Sequence, residues 1–510
     1  VTRSLDARGL RDLVLDPGSW KSWDSPVPVG DVPESYAAEL ARAARETRQD
    51  ESITTGEGLL RGRRVAVIAG EFGFLAGSIG VAAAERLIAA VERATEEGLP
   101  LLAAPVSGGT RMQEGTVAFL QMIGITAAIA RHKEAGLPYL VYLRHPTFGG
   151  VLASWGSLGH VTIAEPGASI GFLGPRVYQA LYGEPFPEGV QTAEHLAEHG
   201  LIDAVVPYEE IAEVADRALR VLAARQTWHR DVADAERPTA EDGTDAGLDG
   251  ADDADGRSAW EVVTASRRED RPGVRRLLRT AATDVVGLSG TGAGEKDPGL
   301  LLALARFGGA PCVVLGQDRR GQSLSAPLGP AALREARRGM RLAAELRLPL
   351  VTLIDTPGAA LSKEAEEGGL AAEIARCLQD LVMLRAPTLA VLLGQGTGGG
   401  ALALAPADRV LAAANGWLGP LPPEGASAIV HRTVDRAGEM AAHQGVRATD
   451  LWRAGIVDRV VPERPDAADE PVDFCRRLGR VLGEELAGLL GRDDGERFRT
   501  RLHRYRHLGR

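Results

Sequence analysis

The second half of this 510-residue chain repeats the first, and no other sequence feature constrains the fold as much. Residues Glu194–Pro207 read EHLAEHGLIDAVVP, and Thr449–Pro462 read TDLWRAGIVDRVVP. A shift of 255 residues carries Gly200 onto Gly455 and Pro207 onto Pro462. Upstream, GLPYLVYLRHPTFGG (Gly136–Gly150) parallels RAPTLAVLLGQGTGGG (Arg385–Gly400). Both halves also carry Pro-Glu-Gly, at Pro187–Gly189 and Pro423–Gly425. Between them, Arg225–Ser258 is acidic, rich in glycine and poor in large apolar residues. Such a stretch buries too little surface to offset its ordering entropy. The expected organisation is a first domain over 1–224, a flexible acidic linker over 225–258, and a second domain over 259–510.

Each half alternates strands and helices. RRVAVIAG (Arg63–Gly70), PLLAAPVS (Pro100–Ser107) and PYLVYL (Pro138–Leu143) read as strands. Ser78 is the expected cap of a helix from Ile79 to about Glu97. Gln113–Glu134 is the next helix, and Gly149–Gly150 should open a short one. The second half gives the same order: PCVVLGQ, a helix from about Ala331, PLVTLID, a helix from about Glu364, PTLAVLLG, then a glycine run and a helix. Such alternation predicts α/β domains with parallel, buried sheets and right-handed crossovers.

Composition narrows the function. A formal charge of −11 argues against a general nucleic-acid binder. The basic stretch Arg492–Arg510 reads as a solvated helix. No apolar run is long and unbroken enough to be a membrane span, and no leader is visible in the first fifty residues. Cys312, Cys377 and Cys475 are far apart and cannot make a four-cysteine metal site. They suit a reducing cytoplasm.

The chemistry should lie at glycine-rich turns that follow apolar strands. These are Ser107-Gly108-Gly109-Thr110-Arg111, Phe148-Gly149-Gly150-Val151, Asp355-Thr356-Pro357-Gly358-Ala359 and Thr397-Gly398-Gly399-Gly400-Ala401. Glycine lets the backbone approach a ligand and turn its N–H groups outward. A following helix start adds positive potential. One such turn alone is usually a packing device. A pair in each half, at matching strand ends, is equipment for an oxyanion on a carbonyl substrate. No dinucleotide or phosphate-loop fingerprint occurs, and no nucleophile elbow or zinc-protease motif. His145, His160 and His195 read as surface or supporting residues, and Asp203 and Asp458 as turn formers. Arg111 and Glu114 should make a local contact at a helix start.

The motifs resemble a known family. FGFLAGSIG (Phe72–Gly80), SGGTRMQEG (Ser107–Gly115), PTFGGVLASWGSLG (Pro146–Gly159), IAEPGASIGFLGPRV (Ile163–Val177) and PEGVQTAEHLAEHGLID (Pro187–Asp203) resemble the β-subunit of bacterial acetyl-CoA carboxylase carboxyltransferase. LIDTPGA (Leu353–Ala359), AAEIARCL (Ala371–Leu378), GQGTGGGAL (Gly394–Leu402), DRVLA (Asp408–Ala412) and PPEGASAIV (Pro422–Val430) look like its α-subunit. As one polypeptide the chain is similar to the fused carboxyltransferase chains of actinobacterial acyl-CoA carboxylases.

The resemblance implies two crotonase-like domains of the ββα superhelix type in tandem. It implies transfer of CO₂ from carboxybiotin to the α-carbon of an acyl-CoA such as acetyl-CoA or propionyl-CoA. The cofactor supplies the base, so the protein positions reactants and stabilises two oxyanions. Gly149 and Gly150 then face the thioester enolate, with Ser107, Gly108, Gly109 and Arg111 on the acyl-CoA side. Gly399, Gly400 and Ala401 face the biotin ureido oxygen, with Gly358, Ala359 and Gly398 beside them. No metal or zinc ribbon is expected. None of Lys21, Lys133, Lys296 and Lys363 is flanked by methionine on both sides. Carboxybiotin must therefore come from a separate carrier and its biotin carboxylase. A homodimer or hexamer is implied, the site lying between the first half of one protomer and the second half of another. One departure stands out: the family's flexible stretch after Asp-Thr-Pro-Gly-Ala is Ala360-Leu361-Ser362-Lys363-Glu364 here. That leaves two rival readings, a biotin-independent malonyl-thioester decarboxylase and a non-catalytic assembly subunit.

Overall fold

A computed structural model describes residues 5–27, 32–224, 256–323 and 327–507. The chain divides into two compact units, Val1–Ala223 with Gly292–Gly294, and Ala224–Thr291 with Glu295–Arg510. The expected linker lies outside the described residues up to position 255. Ser258 then caps the helix Ala259–Ser266, its hydroxyl accepting from Glu261 N at 3.2 Å.

The first unit is built on β1 (Lys21–Ser22), β2 (Ile53–Leu60), β3 (Arg63–Gly70), β4 (Leu101–Ala104), β5 (Tyr139–Leu143), β6 (Thr147–Phe148), β7 (Val161–Ala164), β8 (Ile170–Gly171) and β9 (Ala204–Val205). Seven of these form one sheet in the order β1-β2-β3-β4-β5-β7-β9, and β6 pairs with β8. The second unit has β10 (Thr283–Leu288), β11 (Leu300–Phe307), β12 (Ala310–Gln317), β13 (Leu350–Thr356), β14 (Thr388–Gly396), β15 (Arg409–Ala413) and β16 (Arg459–Val461), paired in sequence order.

The sheets are parallel from β3 to β9 and from β12 to β16, as the alternation predicts. The expectation of purely parallel sheets is corrected at one edge of each. β2 and β3 form an antiparallel hairpin, as do β11 and β12. The hairpin turns are Arg61-Gly62, with φ of 45° and 82°, and Gly308-Gly309, with φ of 54° and 83°. Two consecutive residues with positive φ match the twist of a two-residue hairpin.

Reciprocal ties register the parallel strands, and they recur in both units. Asp203 donates its N–H to Thr162 O at 2.7 Å and accepts Thr162 N at 2.8 Å on Oδ2. Asp458 makes the same pair with Val410, at 2.7 Å each way. Both aspartates are structural, as expected. Asp408 ties itself to Thr388 at 3.0 and 2.8 Å. Its counterpart in the first unit is His160, which donates N–H to Tyr139 O at 2.8 Å and accepts Tyr139 N on Nδ1 at 3.0 Å. An imidazole there does the work of a carboxylate.

Helices Val81–Glu96 and Gly115–Glu134 pack on one face of the first sheet through Leu87, Val91, Ile125 and Ile129. Helix Pro471–Leu490 packs on β11, β12 and β16 and buries Phe474, Leu478 and Leu482 in the core of the second unit. The basic C-terminal stretch is a helix, Asp494–His507, though not merely a solvated one. Arg497 and Arg501 are buried and bind Asp408 at 2.8–2.9 Å. Arg501 also donates to the carbonyls of Leu381, Leu384 and Ala386, so the helix closes one end of the second unit.

His132 on helix Gly115–Glu134 is fully buried between Thr95 Oγ1 at 2.9 Å and Pro138 O at 3.3 Å. Burial pushes its pKa down to about 4 from the usual 6.5. The folded state therefore binds fewer protons than the unfolded chain between those values. The contribution of neutral His132 is complete above pH 6.5 and is lost as pH falls toward 4, on the order of 3 kcal/mol. His132→Asn should flatten the stability–pH curve in that window. Chemical denaturation across pH checks it, and an unchanged acid slope overturns it.

Candidate active site

The four glycine turns take the same shapes in both units. Ser107 Oγ accepts Gly109 N at 3.0 Å, and Thr356 Oγ1 accepts Gly358 N at 3.1 Å. Ile79 bridges Thr110 in parallel, and Leu328 bridges Ala359 in the same way. Gly149 donates to Gly171 O and Phe172 O at 3.2 and 3.0 Å, and Gly398 donates to Gly419 O at 3.0 Å. The shift is 249 residues from Gly109 to Gly358 and from Gly149 to Gly398, shorter than at the last strand. It settles the register of the triple-glycine run: Gly398 corresponds to Gly149, and Gly399 to Gly150.

Positive φ fixes why glycine stands at the first of each pair. Gly149 has φ 68° and Gly398 φ 61°, the left-handed region that side chains disfavour. Both residues halt a strand and reverse the peptide that follows. The next amides are left over. Among the described residues no acceptor takes the N–H of Thr110, Gly150 or Val151 in the first unit. The same holds for Ala359, Gly399 and Gly400 in the second. A methyl group built on Gly150 would lie 3.5 Å from Thr110 Oγ1, and one on Gly400 would lie 3.3 Å from Ala359 N. The two turns of each unit are therefore in contact, their free donors adjacent.

This revises the expected roles residue by residue. The amides of Gly108, Gly109, Gly149, Gly358 and Gly398 are consumed by protein acceptors: Gly108 N, for example, donates to Ala76 O at 2.8 Å. Those glycines shape the turn. Ala401 N also bonds inward, to Thr397 O at 3.4 Å. Gly150, Gly399, Gly400 and Ala359 keep their donors. Thr110 is the donor that sequence reasoning passed over. Its signal was present, one residue past the second glycine, at the position of Ala359. Gly149–Ser154 forms turns rather than the expected helix, whereas Gly398–Leu402 is a short helix.

Arg111 does not line a ligand surface with its side chain, because it is fully buried. Its guanidinium meets Glu51 Oε1 at 2.5 Å, Tyr36 Oη at 3.1 Å, and Ser78 O and Oγ at 2.6 and 2.9 Å. Burial opposes the charge, but Glu51 holds Arg111 protonated above its usual range. Tyr36 in turn donates to Glu114 Oε1 at 2.5 Å, and Glu114 Oε2 accepts Val81 N at 2.5 Å. Glu114 is thus the acidic cap of helix Val81–Glu96. Ser78 was expected in that role and instead binds Arg111 and Leu75 O. Nothing in the sequence around Glu51 or Tyr36 announces this network. It anchors the turn that carries Thr110.

The three histidines supply no base at these turns. His145 Nδ1 accepts Ser169 N at 3.0 Å, His160 Nδ1 is tied to Tyr139, and His195 stacks on His199 with centroids 4.0 Å apart. No group of three or more metal-ligating side chains occurs among the described residues. The three cysteines are buried thiols, their pKa raised by burial. The divergent segment leaves the turn after its first residue: Ala360 is buried and donates its N–H to Leu328 O at 2.9 Å, whereas Leu361 is 95% exposed and Ser362 caps helix Lys363–Glu367.

Residues 7–486 match the carboxyl transferase domain, and the chain belongs to that family. It is similar to the probable biotin-dependent acyl-coenzyme A carboxylase beta3 subunit of Mycobacterium tuberculosis, 61% identical over 500 residues, with 98% of each chain covered. It is 37% identical over 517 residues to the acetyl-coenzyme A carboxylase carboxyl transferase subunits beta/alpha of Salinispora tropica, covering 99% of this chain and 91% of that one. A crystal structure of transcarboxylase 12S with methylmalonyl-coenzyme A and methylmalonic acid bound has the same fold, with TM-score 0.71 at 21% identity. The match covers 95% of this chain and 90% of that one.

Gly149→Ala should destabilise the first unit by about 1–2 kcal/mol, from the left-handed backbone alone, with its new methyl 3.3 Å from Gly109 Cα. Gly150→Ala has no positive φ to strain and meets side-chain atoms only, Met122 Cγ at 3.3 Å and Thr110 Oγ1 at 3.5 Å. It should cost under about 1 kcal/mol. Thermal denaturation of the two variants side by side checks the order; equal stability losses would contradict it.

Proposed function

We propose that the two sets of free amides are the two oxyanion sites of a carboxyltransferase. The chain is the carboxyltransferase component of a biotin-dependent acyl-CoA carboxylase. The single observation that carries the assignment of the sites is the repeated pair of unused donors, Thr110 with Gly150 and Ala359 with Gly399, behind identical glycine turns.

The first pair receives the thioester carbonyl of an acyl-CoA. Thr110 N–H and Gly150 N–H donate to that oxygen, and the bonds strengthen as removal of the α-proton turns it into an enolate oxygen. Held by Arg111 and the Gly149 turn, the donors need not reorganise. The second pair suits a flat, neutral acceptor such as the biotin ureido oxygen. Its cradle is narrow: a methyl on Gly399 would fall 2.7 Å from Ile374 Cδ1, and one on Gly400 3.3 Å from Ala359 N. Carboxybiotin, when bound, supplies the CO₂ and the base. This matches a site with no free imidazole at its turns.

The carrier bearing the biotin and its biotin carboxylase are separate partners. The native chain should carboxylate free biotin from malonyl-CoA, the reverse of the forward transfer. Gly150→Val and Gly399→Val should each lower that rate about a hundredfold or more, as loss of an oxyanion donor does. If the native chain releases CO₂ from malonyl-CoA yet carboxylates no biotin, the transferase reading fails and the decarboxylase reading replaces it.

The first unit leaves Phe119, Ile123, Phe172 and Leu181 58–70% exposed, and the second leaves Ile429 and Val430 about 60% exposed. Apolar faces of this kind are covered in assemblies. The working form is at least a homodimer, and a hexamer is consistent with it, the first unit of one protomer facing the second unit of another. A reducing cytoplasm suits its free thiols. Among the described residues no helix is long and apolar enough to cross a membrane. Equilibrium sedimentation should give a dimer or larger at micromolar concentration. A fully active monomer would overturn this.

A further inference from the structure

The two units hold equivalent turns in different ways, and the difference isolates one residue. Gln317 ends β12 and is fully buried. Its Nε2 donates to Gly400 O at 2.7 Å, and its Oε1 accepts Asp355 N at 3.0 Å. One carboxamide thus ties the end of β13, which leads into the Thr356–Gly358 turn, to the glycine run that follows β14. Asp355 continues the chain of ties, its Oδ1 accepting Gln395 N at 3.1 Å. In the first unit the last residue of the equivalent strand is Gly70, which has no side chain to play this part.

The need arises from the sequence of the second turn. Gly398, Gly399 and Gly400 run together, whereas the first unit has Gly149, Gly150 and then Val151, buried at 0% exposure. Three glycines have more conformational freedom to lose than any other tripeptide. Val151 also fixes its own carbonyl locally, accepting Gly156 N at 2.9 Å. Among the described residues the one side chain bonded to Gly400 O is Gln317. A donor stabilises an oxyanion well only if it is already aimed when charge develops.

We infer that Gln317 is a positioning residue for the biotin-side transfer step, locking the Gly399–Gly400 turn against the Ala359 turn through the Gly400 carbonyl and the Asp355 amide. It touches no reactant. The inference rests on the reading of that turn as the biotin-side oxyanion site. It goes beyond that reading by naming what makes the turn rigid.

The test compares the full-length native chain with Gln317→Met, which removes both bonds at similar volume, and Gln317→Glu, which keeps an acceptor for Asp355 N but sets a carboxylate against Gly400 O. The assay is carboxylation of free biotin from malonyl-CoA, with kcat and both KM values, alongside malonyl-CoA binding by calorimetry and thermal unfolding. Both variants should lower kcat about tenfold to a hundredfold, the range for misaiming or losing one oxyanion donor. The KM and Kd for malonyl-CoA should stay within about twofold, because the acyl side does not use Gln317. Native kcat in a folded variant of either kind overturns the inference. So does an equal loss in malonyl-CoA binding, which would mark general damage. Failure of the underlying reading gives a different signature: Gly399→Val would then retain native biotin carboxylation whatever the Gln317 variants do.

Discussion

Everything at these sites depends on a strand that stops at a left-handed glycine. Gly149 gives its own N–H to Gly171 O and Phe172 O, and Gly398 to Gly419 O, and each reverses the chain, so the next amides cannot rejoin the sheet. Unpaired main-chain donors beside a buried sheet are costly unless something accepts from them. An acceptor from solvent or substrate offsets that cost. A substrate oxygen that gains negative charge accepts more strongly than water, and this difference is what accelerates a reaction. The geometry is therefore a by-product of sheet termination, put to use. It appears twice because the whole unit appears twice.

The support behind the turns is where the two units part. In the first unit a buried ion pair, Arg111 with Glu51, holds the Thr110 turn, with Tyr36 and Glu114 completing it. Such a pair is strongly destabilising to break, because it leaves a charge uncompensated. In the second unit the equivalent turn ends in Ala359 and has no arginine after it. Neutral amides, Gln317 and Gln322, take over: Thr356 Oγ1 donates to Gln322 Oε1 at 2.7 Å. The same hydroxyl lies 3.1 Å from Gly358 O, and its lone pairs accept Gly358 N at 3.1 Å. A buried ion pair holds the first turn directly, whereas at the second the amides add to an ion pair one step back, Arg319 with Asp355 at 3.6 Å.

The sequence exposed the repeat, the parallel strands and the four turns, because each is written in short-range pattern. β3 falls on the residues expected for it, Arg63–Gly70, since an apolar β-branched run bounded by a turn has few alternatives. The hairpins β2–β3 and β11–β12 were missed although Arg61-Gly62 and Gly308-Gly309 mark them. Periodicity alone does not say whether an adjacent strand runs parallel or antiparallel. Ser78 has the chemistry of a helix cap, yet Arg111 claims its hydroxyl, and Glu114, distant in sequence, caps the helix instead. Arg111 itself looked like a ligand-binding arginine beside a glycine turn. Only the fold brings Glu51 to it across the intervening residues, and local sequence carries no trace of that approach. The same limit applies to Arg497 and Arg501, whose basic neighbourhood suggested a solvated face until Asp408 was found beneath them.

A site made of main-chain donors has a distinct response to mutation. Side chains near it can change without touching the reacting atoms, which is why the divergent Ala360–Glu364 segment, with Leu361 almost fully exposed, leaves the Gly398–Ala401 turn intact. Glycine and the residues that hold glycine cannot change so freely. A side chain at Gly149 or Gly398 strains the backbone, and one at Gly399 or Gly400 enters the cradle. The information that specifies such a site is therefore spread between the glycines, which are visible in sequence, and their buried anchors, which are not. Thr110 and Ala359 show the consequence: their side chains differ, yet the amide each contributes is the same, so residue identity alone would never have paired them. It is the bridge each makes, to Ile79 or to Leu328, that makes them equivalent.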